Sequence, residues 1–479
     1  MLARIRAAGL IPTIVGVLVA IAVTLTWVTV LHPVLEHDDW DMLLPDGSPF
    51  VLDHASRVLH EGRWLNYWWW RLGSQHLGLH VVTLGFWLGW SLVTATLTRL
   101  LARDWWAVPI AVAVFASPMI TQISYWPATL MLAMLVLAAA CLALAATRAR
   151  PRLHPVLLGV AVLVLALGYP PFAVLLLPLL AVLHQEAPWR RLALLGGTLT
   201  AGYVGAIVVV YVLNDIRFGV FGMEIQAWRA PHPLHGPRSL ARNLGVVAAN
   251  DLQLVQFTLL PLLAVVGCVV LVLRAGAGRR WSVLAVAFVL AFGLSAATTV
   301  VNGVGLPIRS VSWTWPFGVV AVAWALRVPP RSTRLIAGAA LIAIACWGAL
   351  YAVTQVRAHQ RFESAMDQLR TRAVTLSEHG RRPIVLVPRT TYAANSVDLQ
   401  TAQQFGNSLQ QRTGIAVTGV CTDCPPLVRY AERRAPHAPV LLGPQGQVLV
   451  RFPAALVDTP LNDHRPPWWL SPLFFRADD

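Results

Sequence analysis

The sequence predicts a polytopic α-helical membrane protein of about eleven transmembrane helices, carrying a small C-terminal α/β extracytoplasmic domain. Three observations predict it. Of 479 residues, 57% are apolar or aromatic and only 12% are charged, about half the charge of an ordinary soluble domain. Mean hydropathy is +0.61, and apolar runs approaching the ~20 residues needed to cross a bilayer recur as far as Val353. Basic residues fall in short clusters between these runs. A soluble enzyme is excluded by this composition.

The formal net charge of +15 arises from 37 basic residues, all arginine, against 22 acidic ones. The clusters are Arg4/Arg6, Arg99/Arg103, Arg148/Arg150/Arg152, Arg190/Arg191, Arg274/Arg279/Arg280 and Arg327/Arg331/Arg334. Short basic loops between apolar runs mark the cytoplasmic face of a membrane protein. They are too short to fold into a nucleic-acid-binding surface, so no nucleic-acid partner is expected.

The first run, Leu10 to Leu31, follows two arginines and ends in Glu36-His37-Asp38-Asp39 with no small-residue cleavage site. It reads as a retained helix with a cytoplasmic N-terminus. Ten further spans are expected at Leu77 to Leu97, Trp105 to Ile120, Ala128 to Ala146, Leu153 to Gly168, Pro171 to Leu183, Leu192 to Leu213, Leu244 to Leu273, Trp281 to Val301, Val311 to Leu326 and Leu335 to Val353. Basic clusters on both sides of Leu153 to Leu183 require the chain to go out and return there, which two short spans meeting at Pro170-Pro171 accomplish. An odd number of spans puts the C-terminus outside. The expected domains are a membrane domain over residues 1–355, with an acidic outer loop at 32–76, and an extracytoplasmic domain over 356–479.

In the latter, charge rises, and strand-length apolar runs at Pro383 to Val387 and Gln447 to Val450 flank helical stretches near Leu399 to Arg412 and Leu427 to Arg434. Cys421 and Cys424 fall in this domain, where an oxidising compartment favours a disulfide over free thiols. A metal site is not indicated, because the domain's histidines are scattered, and a thioredoxin-like redox motif is disfavoured by Pro425-Pro426 directly after the pair.

Seven of the 22 acidic residues lie between Glu36 and Glu61: Glu36, Asp38, Asp39, Asp41, Asp46, Asp53 and Glu61. Carboxylates beside hydrocarbon are expensive unless they face protein or a watery cavity, which makes Asp38 and Asp39 functional candidates; Asp46 and Asp53 read as solvated. The following segment, Asp53 to Arg71, is aromatic and basic together. Its Trp and Tyr residues belong at headgroup level, with Trp68, Trp69 and Trp70 as interfacial anchors. At that depth Arg57, Arg63 and Arg71 can meet a lipid phosphate, whose oxygens match the guanidinium fork.

An acidic pair just past the first helix, followed by a Gly-Arg-Trp element, resembles the GT-C membrane glycosyltransferases. The chain is most similar among them to the serotype-converting O-antigen glucosyltransferases (Gtr type II). The residues that carry the likeness are Asp38-Asp39-Trp40, Arg57 and Gly62-Arg63-Trp64, and more loosely Gly168-Tyr169-Pro170, where that family tends to carry Tyr-Gln. The resemblance implies a GT-C-like fold in a bacterial inner (cytoplasmic) membrane. It implies inverting transfer of a sugar, glucose being the expected one, from a polyprenyl-phosphate donor to a cell-surface glycan or glycolipid acceptor on the outer face. Asp38 would be the base, with Asp39 in reserve; Arg57, Arg63 and Arg309 would hold the donor phosphate; Trp40, Trp64, Tyr169 and Arg229 would line the donor or acceptor site. No cofactor is called for with certainty, and a divalent metal is not indicated.

Arg309 stands in the outward loop Asn302 to Arg309, where the topology gives no reason for an isolated arginine; a phosphate contact and an ordinary headgroup contact both suit it. The longest later outer loop, Asn214 to Asn243, carries Arg229, His232 and His235 and reads either as a grip on sugar or phosphate or as a solvated connector. No nucleotide-binding or serine-nucleophile motif occurs. The main rival is a transporter or flippase of a lipid-linked sugar, which would put ionisable residues deep in the spans and show repeated halves. A polysaccharide polymerase or ligase is the second. The acidic first loop favours the transferase over both.

Overall fold

The computed structural model describes residues 10–45, 54–225, 229–274, 278–328, 331–387, 397–421 and 425–452. Asp46, Asp53 and Cys424 lie outside them. The chain is mostly helical, and its membrane part begins with α1 (Leu10–Val23) and α2 (Thr26–Leu31), separated at Leu25, whose φ of 56° interrupts the helix. After the first loop come α3 (His54–Glu61), α4 (Trp64–Leu72), α5 (Leu79–Leu101), α6 (Ala107–Phe115), α7 (Pro118–Ile123) and α8 (Pro127–Ala146). Then follow α9 (His154–Gly168), α10 (Pro170–Val174), α11 (Leu176–Leu183), α12 (Trp189–Phe218), α13 (Pro237–Phe257), α14 (Leu259–Arg274), α15 (Gly278–Asn302), α16 (Thr314–Ala325) and α17 (Arg331–Leu376).

Each of the eleven expected spans has helix in its place, but fewer are full crossings. Among the described residues six helices are long and apolar enough to span a membrane, or seven if α13 and α14, bent by 91° at Thr258, count as one. The chain is thus a multi-pass membrane protein with six or seven candidate crossings rather than eleven. The first, third, sixth and tenth expected spans are shorter or broken. Pro118 ends the third, since the residue before a proline is driven out of helical geometry and Ser117 is extended at ψ 120°. Two of the carbonyls freed there are met by indole N–H groups, Trp90 donating to Phe115 at 3.0 Å and Trp315 to Ala113 at 2.7 Å, as a buried helix end requires. The fifth and sixth meet at extended Tyr169, directly before Pro170, as their prolines predict.

Following helix directions through the bundle, the arginine clusters at Arg99/Arg103, Arg148 to Arg152, Arg190/Arg191, Arg274 to Arg280 and Arg327 to Arg334 all fall at the helix ends remote from the first loop. Close packing holds the helices in this order. A Cβ on Gly348 would collide with the Ala116 carbonyl, so α17 can lie on the α6–α7 break only because that residue is glycine.

Helix α17 runs through the expected boundary at 355/356 without interruption and delivers its last turns to the small domain. There β1 (Ile384–Val387), β2 (Gly419–Val420), β3 (Val440–Leu442) and β4 (Val448–Arg451) form one sheet in the order β2-β1-β4-β3. β1 is parallel to β2 and β4, while β3 is antiparallel to β4. Alternate residues of β1 serve two layers. Ile384 and Leu386 pack on Phe362, Met366 and Leu369 of α17 and on Phe405 and Leu409 of α18 (Val397–Thr413). Val385 and Val387 pack on Leu427 and Ala431 of α19 (Pro425–Arg434). Cys421 is disulfide-bonded.

The domain sits on the first loop. Gln404 donates to the Leu35 carbonyl at 2.6 Å, Asn407 to the Asp41 carboxylate at 2.7 Å, and Gln360 to the His32 carbonyl at 2.7 Å. The small domain and the acidic loop therefore share one face of the bundle.

Candidate functional site

Beneath that loop lies a cavity of about 330 Å3, walled by the first loop, α3, α4, the α7–α8 turn, the α9–α10 break, α15 and the segment 302–310. Asp38 opens into it, its side chain about one third exposed. One carboxylate oxygen accepts the Trp126 indole N–H at 2.6 Å, the other the Arg57 guanidinium at 3.1 Å. Burial opposes ionisation of Asp38, yet the charges of His37 and Arg57 and the Trp126 hydrogen bond outweigh it and hold the carboxyl down at about 2.

Asp39 points the other way. Completely buried, it accepts the backbone N–H groups of Ala128 and Thr129 at 2.8 and 2.7 Å, the free amides at the start of α8. Burial pushes its carboxyl up to about 7 against those donors. Of the adjacent pair, Asp38 serves the cavity and Asp39 anchors the loop to the helix.

Four arginines line the cavity. Arg57 bridges Asp38 and the buried Asp41, the latter at 3.6 Å; burial works against its charge, and the two carboxylates more than offset this. Arg63 pairs with Glu61 at 3.2 Å and lies over the Tyr169 ring at 5.4 Å. Arg229, from the loop after α12, reaches the other Glu61 oxygen at 3.7 Å. Arg309 lies over the Trp126 ring at 4.5 Å and makes no ion pair among the described residues. Glu224 ties the Arg229 loop to α3, its N–H donating to the Leu59 carbonyl at 3.1 Å.

The cavity thus brings together Asp38, Arg57, Arg63, Tyr169, Arg229 and Arg309. Two expected members are elsewhere. Trp40 is fully buried among Leu35, Leu43, Trp70 and Val82, and Trp64 donates to Asn214 at 3.0 Å within a packed cluster with Val58 and Val210. Neither lines the cavity: each buries a large aromatic surface in a packed cluster beside it. Residues not anticipated are Trp126, Asn66, Tyr203, Thr298 and Asn302. Among the described residues no group of three or more His, Cys, Asp or Glu stands close enough to hold a metal ion.

A second, larger cavity of about 690 Å3 lies between the bent pair α13–α14, α15 and α16, and is lined almost entirely by apolar side chains such as Leu254, Val265, Phe288 and Trp313. Ser295 and Leu306 belong to both cavities, so the apolar one abuts the arginine-lined one. Comparison of the chain with known protein families, with curated proteins and with solved structures finds no match.

Proposed function

We propose that the protein is an inverting glycosyltransferase that moves a sugar, glucose being the expected one, from a polyprenyl-phosphate donor to a glycan or glycolipid acceptor at the outer face of a bacterial inner membrane. The observation that carries this reading is the junction of two cavities. An apolar one suits a polyprenyl chain; the adjoining one offers four guanidinium groups for its phosphate and two carboxylates, of which Glu61 is paired with Arg63 and Arg229 and Asp38 is the one left for chemistry.

Asp38 accepts the proton of an acceptor hydroxyl as that oxygen bonds to the anomeric carbon. The bond from that carbon to the phosphate oxygen breaks, its electron pair leaves with the polyprenyl phosphate, and Arg57, Arg63, Arg229 and Arg309 take up the developing charge. A carboxyl held at about 2 is a weak proton acceptor. A phosphate arriving at Arg57 competes with Asp38 for that cation, which strengthens the base when the donor is bound.

The test uses the full chain in lipid nanodiscs with polyprenyl-phosphate glucose and a panel of acceptor glycans. A new glycosidic bond with release of polyprenyl phosphate is expected, and Asp38→Asn should abolish it while leaving donor binding within about twofold. Translocation of the intact lipid between leaflets with no new bond would favour a flippase, and near-normal transfer by Asp38→Asn would remove the base from Asp38.

A further inference from the structure

We propose that Asn66 reads the donor sugar, its side-chain amide bonding two adjacent hydroxyls of the pyranose carried on the lipid phosphate. The assignment rests on the transferase reading above and deepens it.

Asn66 is only 6% exposed, it lines the arginine cavity, and neither Nδ2 nor Oδ1 has a hydrogen-bond partner among the described residues. A buried amide with no partner at all is costly, and such groups persist where a ligand supplies what the protein withholds. The other buried asparagines of the bundle use their amide NH2, and Asn214 its oxygen as well. Asn214 accepts from Trp64 and donates to Gly222, and Asn243 donates to the carbonyls of His232 and Val300.

The location identifies the ligand. Arg63 immediately precedes α4, and Asn66 lies three residues on, its backbone N–H bonded to the Arg63 carbonyl at 3.0 Å. Both side chains reach the α9–α10 break: the Arg63 guanidinium lies over the Tyr169 ring at 5.4 Å, and the Asn66 oxygen stands 3.6 Å from where a Cβ on Gly168 would be. A lipid phosphate held by Arg63 therefore leaves its sugar on the side of the cavity that Asn66 walls. One amide carbonyl and one NH2 match a pair of adjacent hydroxyls, each able to donate and accept.

The seat is built by close packing. Gly168 lets α4 press against the end of α9, and a Cβ there would stand 3.0 Å from Leu65 and 3.6 Å from the Asn66 oxygen. Both amide atoms show less than 1 Å2 to water, so the sugar must part the wall to reach them.

The experiment compares undecaprenyl phosphate with undecaprenyl-phosphate glucose as ligands of the full chain in nanodiscs. Asn66→Leu should weaken the sugar-bearing lipid about tenfold, the scale of one or two neutral hydrogen bonds, and leave undecaprenyl phosphate within about twofold. Its melting temperature should hold or rise, because an idle buried amide is replaced by an apolar group of similar size. Asn66→Ala, which introduces no new bulk, should show the same split between the two lipids. Equal loss on both lipids, no loss on the sugar-bearing one, or a lower melting temperature for Asn66→Leu would overturn the assignment. Wild-type protein that binds neither lipid would overturn the transferase reading itself, and this assignment with it.

Discussion

Trp126 donates its indole N–H to Asp38 at 2.6 Å while the face of the same ring carries the Arg309 guanidinium at 4.5 Å. One side chain in the turn between α7 and α8 therefore fixes the separation of the carboxylate from a cation that has no ion pair among the described residues. The turn is itself held by Asp39, which anchors the two residues after Pro127. Carboxylate, cation and loop are one unit.

Replacing Trp126 by Phe keeps a ring under Arg309 and removes the donor to Asp38. A hydrogen bond to the carboxylate favours its charged form, so its loss raises the Asp38 pKa from about 2. The acid limb of kcat/KM should move to higher pH, because a carboxylate without that bond takes up a proton more readily. A pH profile of the variant checks this; an unmoved acid limb would detach Trp126 from the base.

Glu36 couples the loop to α17. It is buried, with His359 of that helix 3.5 Å from one oxygen and His37 3.7 Å from the other. Burial disfavours its charge, but the two histidines beside it prevail and hold it at about 2. A carboxyl depressed on folding contributes stability that is present above its unfolded value, near 4.5, and is lost as pH falls towards 2. Glu36→Gln should melt below wild type at pH 6, and the gap should close as the pH is lowered from 4.5 towards 2. A gap independent of pH would mean that packing, not charge, explains it.

The grip of the small domain on the first loop, through Gln360, Gln404 and Asn407, joins the topology of the two. With the arginine clusters at the opposite helix ends, the positive-inside rule predicts both on the extracytoplasmic side. A reporter fused after Asp479 should be active only in that compartment, and cytoplasmic activity would invert the whole orientation.

The residues legible in the sequence are those whose chemistry is out of place. Asp38, Arg57, Arg63 and Arg309 stand out because charge beside hydrocarbon demands a reason, and the cavity unites them. Asp39 was indistinguishable from Asp38, since its partners are 89 and 90 residues away. Trp40 and Trp64 carried a motif resemblance yet fill space. Trp126 and Asn66 sit in turns and helices where aromatic and amide side chains are commonplace, so nothing local marks them. The eleven apolar runs all carry helix, but six or seven rather than eleven are candidate crossings among the described residues, because length alone does not tell a crossing from a short or broken helix held by its neighbours.

Two arginines stand at opposite ends of α4. Arg63 lines the cavity, over Tyr169 and against Glu61, whereas Arg71 lies eight residues on, outside the cavity, its guanidinium directed to the Tyr67 hydroxyl at 3.4 Å. A lysine at 63 keeps the charge but not the planar fork that meets two phosphate oxygens together. If Arg63 holds the donor phosphate, Arg63→Lys should lose about 1–3 kcal/mol, roughly 5- to 150-fold, in donor affinity or in rate according to whether the contact tightens at the transition state. Arg71→Lys should stay within about twofold. Donor binding and kcat/KM measured for both variants decide it: a silent Arg63→Lys beside a damaging Arg71→Lys would place the phosphate at the far end of α4 and leave the cavity without its lipid.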